Sequence, residues 1–477
     1  MSNHKYNLSN AARKPIIPSC LVPVILLCLA PLLLGADSGC GVASSDFVVI
    51  SDVHFNPFSD TSLFNRLVAE PAENWNEIFQ TSSKTNLPGY GSESNYTLLS
   101  KALDSAASEA QSPVMVIFPG DILGHGFNTA FYNLYGSVAP AALKSFIYKT
   151  VRFFVLQIKS RFPNQPVFFT LGNNDAYAGD YNLVAGGDFL SETASLFMNQ
   201  WLEGRVQADE FTSTYKAGGY YKVDSELENI RLISLNSVLF STRRPAPASG
   251  DAAYVQLDWF ENQLAAAKEA GQKVYVVTHV PPGVDVFQTV RTFMDANGRI
   301  SGVSLMWHAD YQKRFLEIME SYKDLDMVFF SGHTHMDEFR LLYDEARTSH
   351  PDPILGQPAV SPIFGNNPGY RLIHVSASTW QLEDYTTHYL PLDSADKFSL
   401  EYQFSRQYGL SPLDSSHMET LTDDLVAGGA AKTDYINFYY LKSNRSPITE
   451  TNWPAYRCST KYIRASAYQT SVNADAR

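Results

Sequence analysis

The stretch Phe47-Val48-Val49-Ile50-Ser51-Asp52-Val53-His54 decides how this chain is read. Its first four residues are apolar, and three of them are β-branched, which suits a short buried strand. A carboxylate and an imidazole, Asp52 and His54, follow directly and stand two residues apart. In extended backbone, residues i and i+2 point the same way, so the pair is expected to aim together off the strand end.

The same construction recurs four times. An apolar run at 114–118 leads into Pro119-Gly120-Asp121-Ile122-Leu123-Gly124-His125, and one at 167–170 into Leu171-Gly172-Asn173-Asn174-Asp175. A run at 274–278 ends in His279-Val280-Pro281-Pro282-Gly283, and one at 327–331 in Gly332-His333-Thr334-His335. A lone Asp-x-His or Gly-Asp is ordinarily a solvated pair or a turn; five such clusters in succession need a common cause. A metal site supplies one, because borderline cations take imidazole nitrogen and carboxylate oxygen together. Glycines before Asp121, Asn173 and His333 let the backbone turn sharply there. Five of the eleven histidines lie in these clusters. His308, His350, His374, His388 and His417 read as structural or surface groups.

Helical periodicity lies between the strands. Leu98, Leu99, Ala102, Leu103 and Ala106 share one face, as do Leu143, Ile147, Val151, Phe154 and Ile158. A helix over 255–270 is closed by Gly271. Further strands are expected at 231–235 and 372–376. Such alternation predicts an α/β architecture, in which ligands bind at the carboxyl ends of strands, and the strand count predicts two packed sheets. From about Tyr385 the chain becomes rich in Tyr and Leu, with helices expected near 398–408 and 418–427. The organisation read from this is a catalytic region 46–384 followed by a C-terminal helical subdomain 385–477.

Residues 1–45 read as a targeting segment. Lys5, Arg13 and Lys14 precede an apolar run from Ile16 to Leu34, followed by Gly35-Ala36-Asp37-Ser38-Gly39-Cys40, the pattern of an export signal. A retained signal anchor and a lipid anchor at Cys40 are the alternatives, so the expected location is secreted, periplasmic or tethered on the outer side. Cys20 and Cys28 fall inside this segment, leaving Cys40 and Cys458 for at most one disulfide and excluding a cysteine-based zinc site. The net charge of −13 disfavours nucleic acid as a partner and requires a local positive source for any anionic substrate. Bound metal is the simplest source.

The five clusters resemble the D-x-H, G-D, G-N-H, H and G-H-x-H pattern of the calcineurin-like metallophosphoesterases. Thr278-His279-Val280-Pro281-Pro282-Gly283, Gly332-His333-Thr334-His335-Met336-Asp337-Glu338-Phe339 and Ser361-Pro362-Ile363-Phe364-Gly365-Asn366-Asn367-Pro368-Gly369-Tyr370 are similar to the acid sphingomyelinase-like phosphodiesterase branch. The resemblance implies two packed mixed β-sheets flanked by helices and two divalent ions, most simply Zn2+. It assigns Asp52, His54 and His335 to the first ion, Asn173, His279 and His333 to the second, and Asp121 to both. It implies hydrolysis of a phosphodiester or phosphoanhydride by water activated between the two ions. Asn174 stands where the family carries a histidine, and His125 matches a second active-site histidine, so His125 is expected to be the general acid. Asn367 is expected to meet the substrate. The branch's sphingomyelin-cleaving members carry a saposin-like domain ahead of the catalytic one. Here the first motif follows the targeting segment directly, which favours nucleotides or nucleotide-linked alcohols over sphingomyelin, other phospholipids or polyphosphate. A metal-stabilised surface binding protein is the non-enzymatic alternative.

Overall fold

Runs of β-branched and aromatic residues become strands in the computed structural model, which describes residues 44–223, 229–344 and 351–476. Nearly all of the expected export segment, with Cys20, Cys28 and Cys40, lies outside the described residues, as does His350. Cys458 is buried, with its sulfur 3.3 Å from Ser471 Oγ.

The strands are β1 (Ser44–Val49), β2 (Val116–Phe118), β3 (Val167–Phe169), β4 (Tyr221–Val223), β5 (Ile230–Leu235) and β6 (Lys273–Thr278). They continue with β7 (Met327–Ser331), β8 (Glu338–Leu342), β9 (Asp352–Gly356), β10 (Gly369–Ser376), β11 (Leu382–Tyr389) and β12 (Ser399–Gln403). One sheet has the order β12-β11-β10-β1-β2-β3, with β1, β2 and β3 parallel and the rest antiparallel. The other has the order β4-β5-β6-β7-β9-β8, parallel through β5, β6, β7 and β9. Both are mixed, as expected. They face each other through aromatic contacts: Phe47 on β1 lies 6.2 Å from Tyr275 on β6 and 5.6 Å, edge-on, from Phe330 on β7.

Helices cover the outer faces. The helix Tyr96–Ala110 buries the predicted stripe of Leu98, Leu99, Ala102, Leu103 and Ala106, and the Asn95 side chain caps it at Leu98 N. The helix Ala252–Ala270 starts on an Asp251 cap and ends at Gly271, whose φ of 64° is left-handed. Beyond residue 384 the expectation needs correction. The first sheet continues through β11 and β12, and the helix expected over 398–408 is β12 followed by a single short helix, Phe404–Tyr408. Helices Ser415–Ala427, Gly429–Tyr439, Trp453–Ser459 and Ala465–Asp475 then make the C-terminal helical region.

One buried polar node ties the two sheets together. Asp337, just ahead of β8, pairs with Arg371 of β10 and accepts hydrogen bonds from Thr387 Oγ1 (2.9 Å) on β11 and Tyr402 OH (3.0 Å) on β12. Arg371 also donates to Gly356 O on β9 at 2.9 Å. Removing one member of a buried pair leaves the other charge uncompensated, typically at a cost of about 3–5 kcal/mol. Arg371→Met is therefore expected to lower the unfolding free energy by about that amount in urea denaturation.

Candidate metal centre

The five clusters meet at the carboxyl ends of β1, β2, β3, β6 and β7. Past β1 and β2 the chains stay zipped together: Asp52 N–H donates to Gly120 O (3.1 Å), His54 N–H to Asp121 O (3.0 Å) and Phe55 N–H to Ile122 O (2.7 Å). The i, i+2 pairs are not extended as expected. Asp52 (φ 48°), His54 (46°), Asp121 (63°), His333 (72°) and His335 (67°) all have left-handed backbone. Each such residue costs about 1–2 kcal/mol without glycine, so the surrounding bonds must hold them there. Chain separation at this point is minimal. A Cβ on Gly172 would lie 2.0 Å from Asp121 Oδ1, and one on Gly332 would lie 2.6 Å from Asp52 Oδ2.

Seven expected ligand side chains converge. Asp52 Oδ1 lies 3.9 Å from His54 Nε2 and 3.6 Å from His335 Nε2, and these two nitrogens are 3.0 Å apart. Asp121 Oδ2 lies between His54 Nε2 (3.3 Å) and His279 Nε2 (3.4 Å). Asn173 Oδ1 is 3.0 Å from His279 Nε2 and 2.9 Å from His333 Nδ1, and its amide donates to Asp180 Oδ1, which fixes the flip. Backbone carbonyls set the tautomers. His54 Nδ1 donates to Leu123 O and His279 Nδ1 to Pro119 O, turning both Nε2 atoms inward.

Charge in this cluster is unbalanced. Burial together with the neighbouring His279 pushes His333 down to about 3, and burial with His54 holds His335 well below the usual histidine range. Both are therefore neutral donors. Burial raises the Asp52 carboxyl; it also opposes ionisation of Asp121, but His279 and His54 outweigh it and hold Asp121 well below the carboxylate range. Burial likewise disfavours the charged form of His279, and Asp121 overrides it, lifting His279 to about 9. Among the described residues no Lys or Arg pairs with either carboxylate, and His335 Nδ1 is buried without a partner. Donor atoms of Asp52, His54 and His335, and of Asp52, Asp121 and His279, each lie within 4.8 Å of one another. Such a donor set fits divalent cations.

His125 stacks on His54, with ring centroids 4.5 Å apart and planes 12° from parallel. Its Nδ1 is 2.7 Å from Glu93 Oε1, which also accepts the His125 N–H at 2.9 Å. Burial lowers the His125 pKa, but the Glu93 bond and charge win and raise it. Sequence reading missed Glu93, because it sits in a segment without periodicity. Phe55 brings it in by bridging to both Ser94 and Leu123. Asn174 is buried against Asp121, with its N–H 2.8 Å from Oδ1 and its amide nitrogen 3.0 Å from Oδ2. Asp175 accepts backbone N–H bonds from Asp121, Ile122, Leu123 and Gly172, tying the β2 and β3 loops together. The structure does not bring Asn367 into this group: its oxygen accepts from Tyr90 OH and Leu392 N, and its amide donates to Leu441 O. A nearby residue of the same stretch, Phe364, stands edge-on to His335 at 4.6 Å instead.

A cleft of about 610 Å³ opens over the cluster and is walled by Tyr181, Phe364 and, from the C-terminal helical region, Tyr439, Tyr440 and Tyr456. The two mixed sheets thus carry metal-type donors at their strand ends, beneath an open cleft. The calcineurin-like phosphoesterase family model matches residues 45–337, and the chain belongs to that family. It is a metal-dependent phosphoesterase. Its relatives include "Sphingomyelinase phosphodiesterase D" of Dictyostelium discoideum, 25% identical over 83% of this chain and 88% of that protein. "Cyclic GMP-AMP phosphodiesterase SMPDL3A" of Homo sapiens is 25% identical over 76% of this chain and 77% of its own length. Among solved structures, a dimetal phosphatase from Danio rerio aligns with a TM-score of 0.41 at 11% identity, covering 75% of this chain and 98% of the other.

The Gly172 contact yields a test. Gly172→Ala forces Asp121 to shift, its backbone nitrogen (2.3 Å from the added Cβ) as well as its carboxylate, and misplacement by about 1 Å can cost 10²-fold in rate. Hydrolysis of bis(p-nitrophenyl) phosphate is expected to fall by about that factor while far-UV circular dichroism stays native.

Proposed function

We propose that this protein hydrolyses small phosphodiesters and phosphoanhydrides, with nucleotides and nucleotide-linked alcohols as its substrates. The observation that carries the reading is the convergence of two carboxylates, four imidazoles and an amide oxygen, with a further imidazole, His125, stacked beside them. Asp52, His54 and His335 would hold one cation, Asn173, His279 and His333 the other, and Asp121 both; zinc suits so imidazole-rich a set. When bound, the pair supplies Lewis acidity and a nucleophilic water at neutral pH.

The chain's own residues do the rest. Asn174 donates two hydrogen bonds to Asp121 and orients that carboxylate. His125 holds a proton beside the cluster and delivers it to the departing oxygen. Glu93 orients that ring and favours its charged form. The cleft has the volume of a site for a nucleotide-sized ligand, and its aromatic wall suits a planar base. The cyclic GMP-AMP phosphodiesterase relatives support the nucleotide class. Export through the N-terminal segment belongs to this reading, and no helix among the described residues is long and apolar enough to cross a membrane.

Purified protein with zinc added is expected to prefer CDP-choline and nucleoside triphosphates over sphingomyelin and long-chain polyphosphate; preference for sphingomyelin would overturn the substrate class. General-acid assistance is worth about 10²–10⁴-fold, and it matters most for a poor leaving group. His125→Ala should therefore lose about that much on alkyl esters and far less on p-nitrophenyl esters. Equal losses on both would assign His125 to positioning instead.

A further inference from the structure

The two halves of the donor cluster are held by different means. On the side of the first cation, His54 Nδ1 is fixed by the backbone carbonyl of Leu123, and His335 Nδ1 is buried with no partner among the described residues. On the side of the second, His279 Nδ1 is likewise held by Pro119 O. Its two companions, Asn173 and His333, lean instead on consecutive side chains of the loop after β3, Asp180 and Tyr181. Both of these line the cleft and stand outside the donor set itself.

Each contact settles which atom its neighbour can offer. An amide presents oxygen or nitrogen according to a half-turn of its end, and only the oxygen can bind a cation. Asp180 Oδ1 accepts the Asn173 amide N–H at 2.7 Å, which leaves Asn173 Oδ1 facing His279 and His333. A carboxylate acceptor makes that a charge-assisted bond, stronger than one between neutral groups. His333 can offer Nδ1 only with its proton on Nε2, and the Tyr181 hydroxyl oxygen lies 3.3 Å from Nε2, placed to accept it.

The loop is built to keep this pair in place. Tyr181 has left-handed backbone (φ 55°), which is uncommon for so bulky a residue. Its N–H donates to Asn173 O at 2.8 Å, closing the loop onto the same residue that Asp180 holds. Asn182 Nδ2 donates to Asp180 O at 2.8 Å. From outside, Arg244 donates to Tyr181 O (2.7 Å) and Leu183 O (2.9 Å).

We propose that Asp180 and Tyr181 are positioning residues for the second cation alone, setting its affinity without changing that of the first. The inference rests on the assignment of Asn173, His279 and His333 to that cation, and it goes further by making the two sites separable. Outer partners of metal ligands are typically worth about 10–100-fold in metal affinity.

The test measures zinc content by equilibrium dialysis against a series of zinc buffers. In Asp180→Ala/Tyr181→Phe one ion is expected to bind as in wild type and the other about 10–100-fold more weakly. Asp180→Asn, which keeps a neutral acceptor, should lose less than Asp180→Ala. A double-mutant cycle separates positioning from a general effect on the fold. Once Asn173→Ala has removed the amide, adding Asp180→Ala should weaken zinc binding no further. The chelated variant should melt at the same temperature as chelated wild type. Unchanged affinity for both ions, equal weakening of both, additive losses in the cycle or a lower melting temperature of the chelated variant would each overturn the proposal. Wild-type protein that binds no zinc would refute the parent reading, and this inference with it.

Discussion

Two carboxylates, Asp52 and Asp121, are buried side by side with histidines as their only ion-pair partners among the described residues. Taking even one carboxylate out of water costs several kcal/mol unless compensating charge is near. The rest of the site is arranged around that constraint. Left-handed backbone at five donor residues aims their side chains inward, and Gly172 and Gly332 let the loops close to contact distance. Carbonyls of Leu123 and Pro119 hold two imidazoles by Nδ1 with Nε2 turned into the site. Divalent cations would convert this cost into binding energy, which would give the strained geometry and the unbalanced charge one explanation.

Much of this could be read from the sequence, because each cluster follows a strand whose apolar run is unambiguous. The strands at 274–278 and 327–331 fall within a residue of β6 and β7, the one at 47–50 overlaps β1, which starts three residues earlier, and the stripe on Tyr96–Ala110 is buried as its spacing demands. What could not be read was set by tertiary contact. Backbone handedness at Asp52 and His54 depends on hydrogen bonds to Gly120 and Asp121, far away in sequence. Glu93 reaches His125 only because Phe55 bridges two loops. Residues 399–403 resemble the start of a helix, yet they become an edge strand on β11, where pairing overrides local preference.

The C-terminal helical region carries no chemical motif, but it completes the cleft. Tyr439, Tyr440 and Tyr456 form part of its wall, and backbone bonds from Asp337 N to Tyr439 O and from Leu341 N to Thr460 O fasten that region to the second sheet. The same Asp337 is the node that joins the sheets through Arg371, so cleft shape and sheet packing share one anchor. The aromatic part of the cleft wall therefore comes largely from outside the strand ends that carry the donor cluster.

The central claim is that the buried carboxylates exist to hold metal. Elemental analysis of the purified protein tests it most directly, with activity followed during dialysis against a strong chelator. The account predicts about two divalent ions per chain, loss of activity as they leave, and recovery when zinc is restored. Protein that binds no metal and keeps its activity through chelation would contradict it.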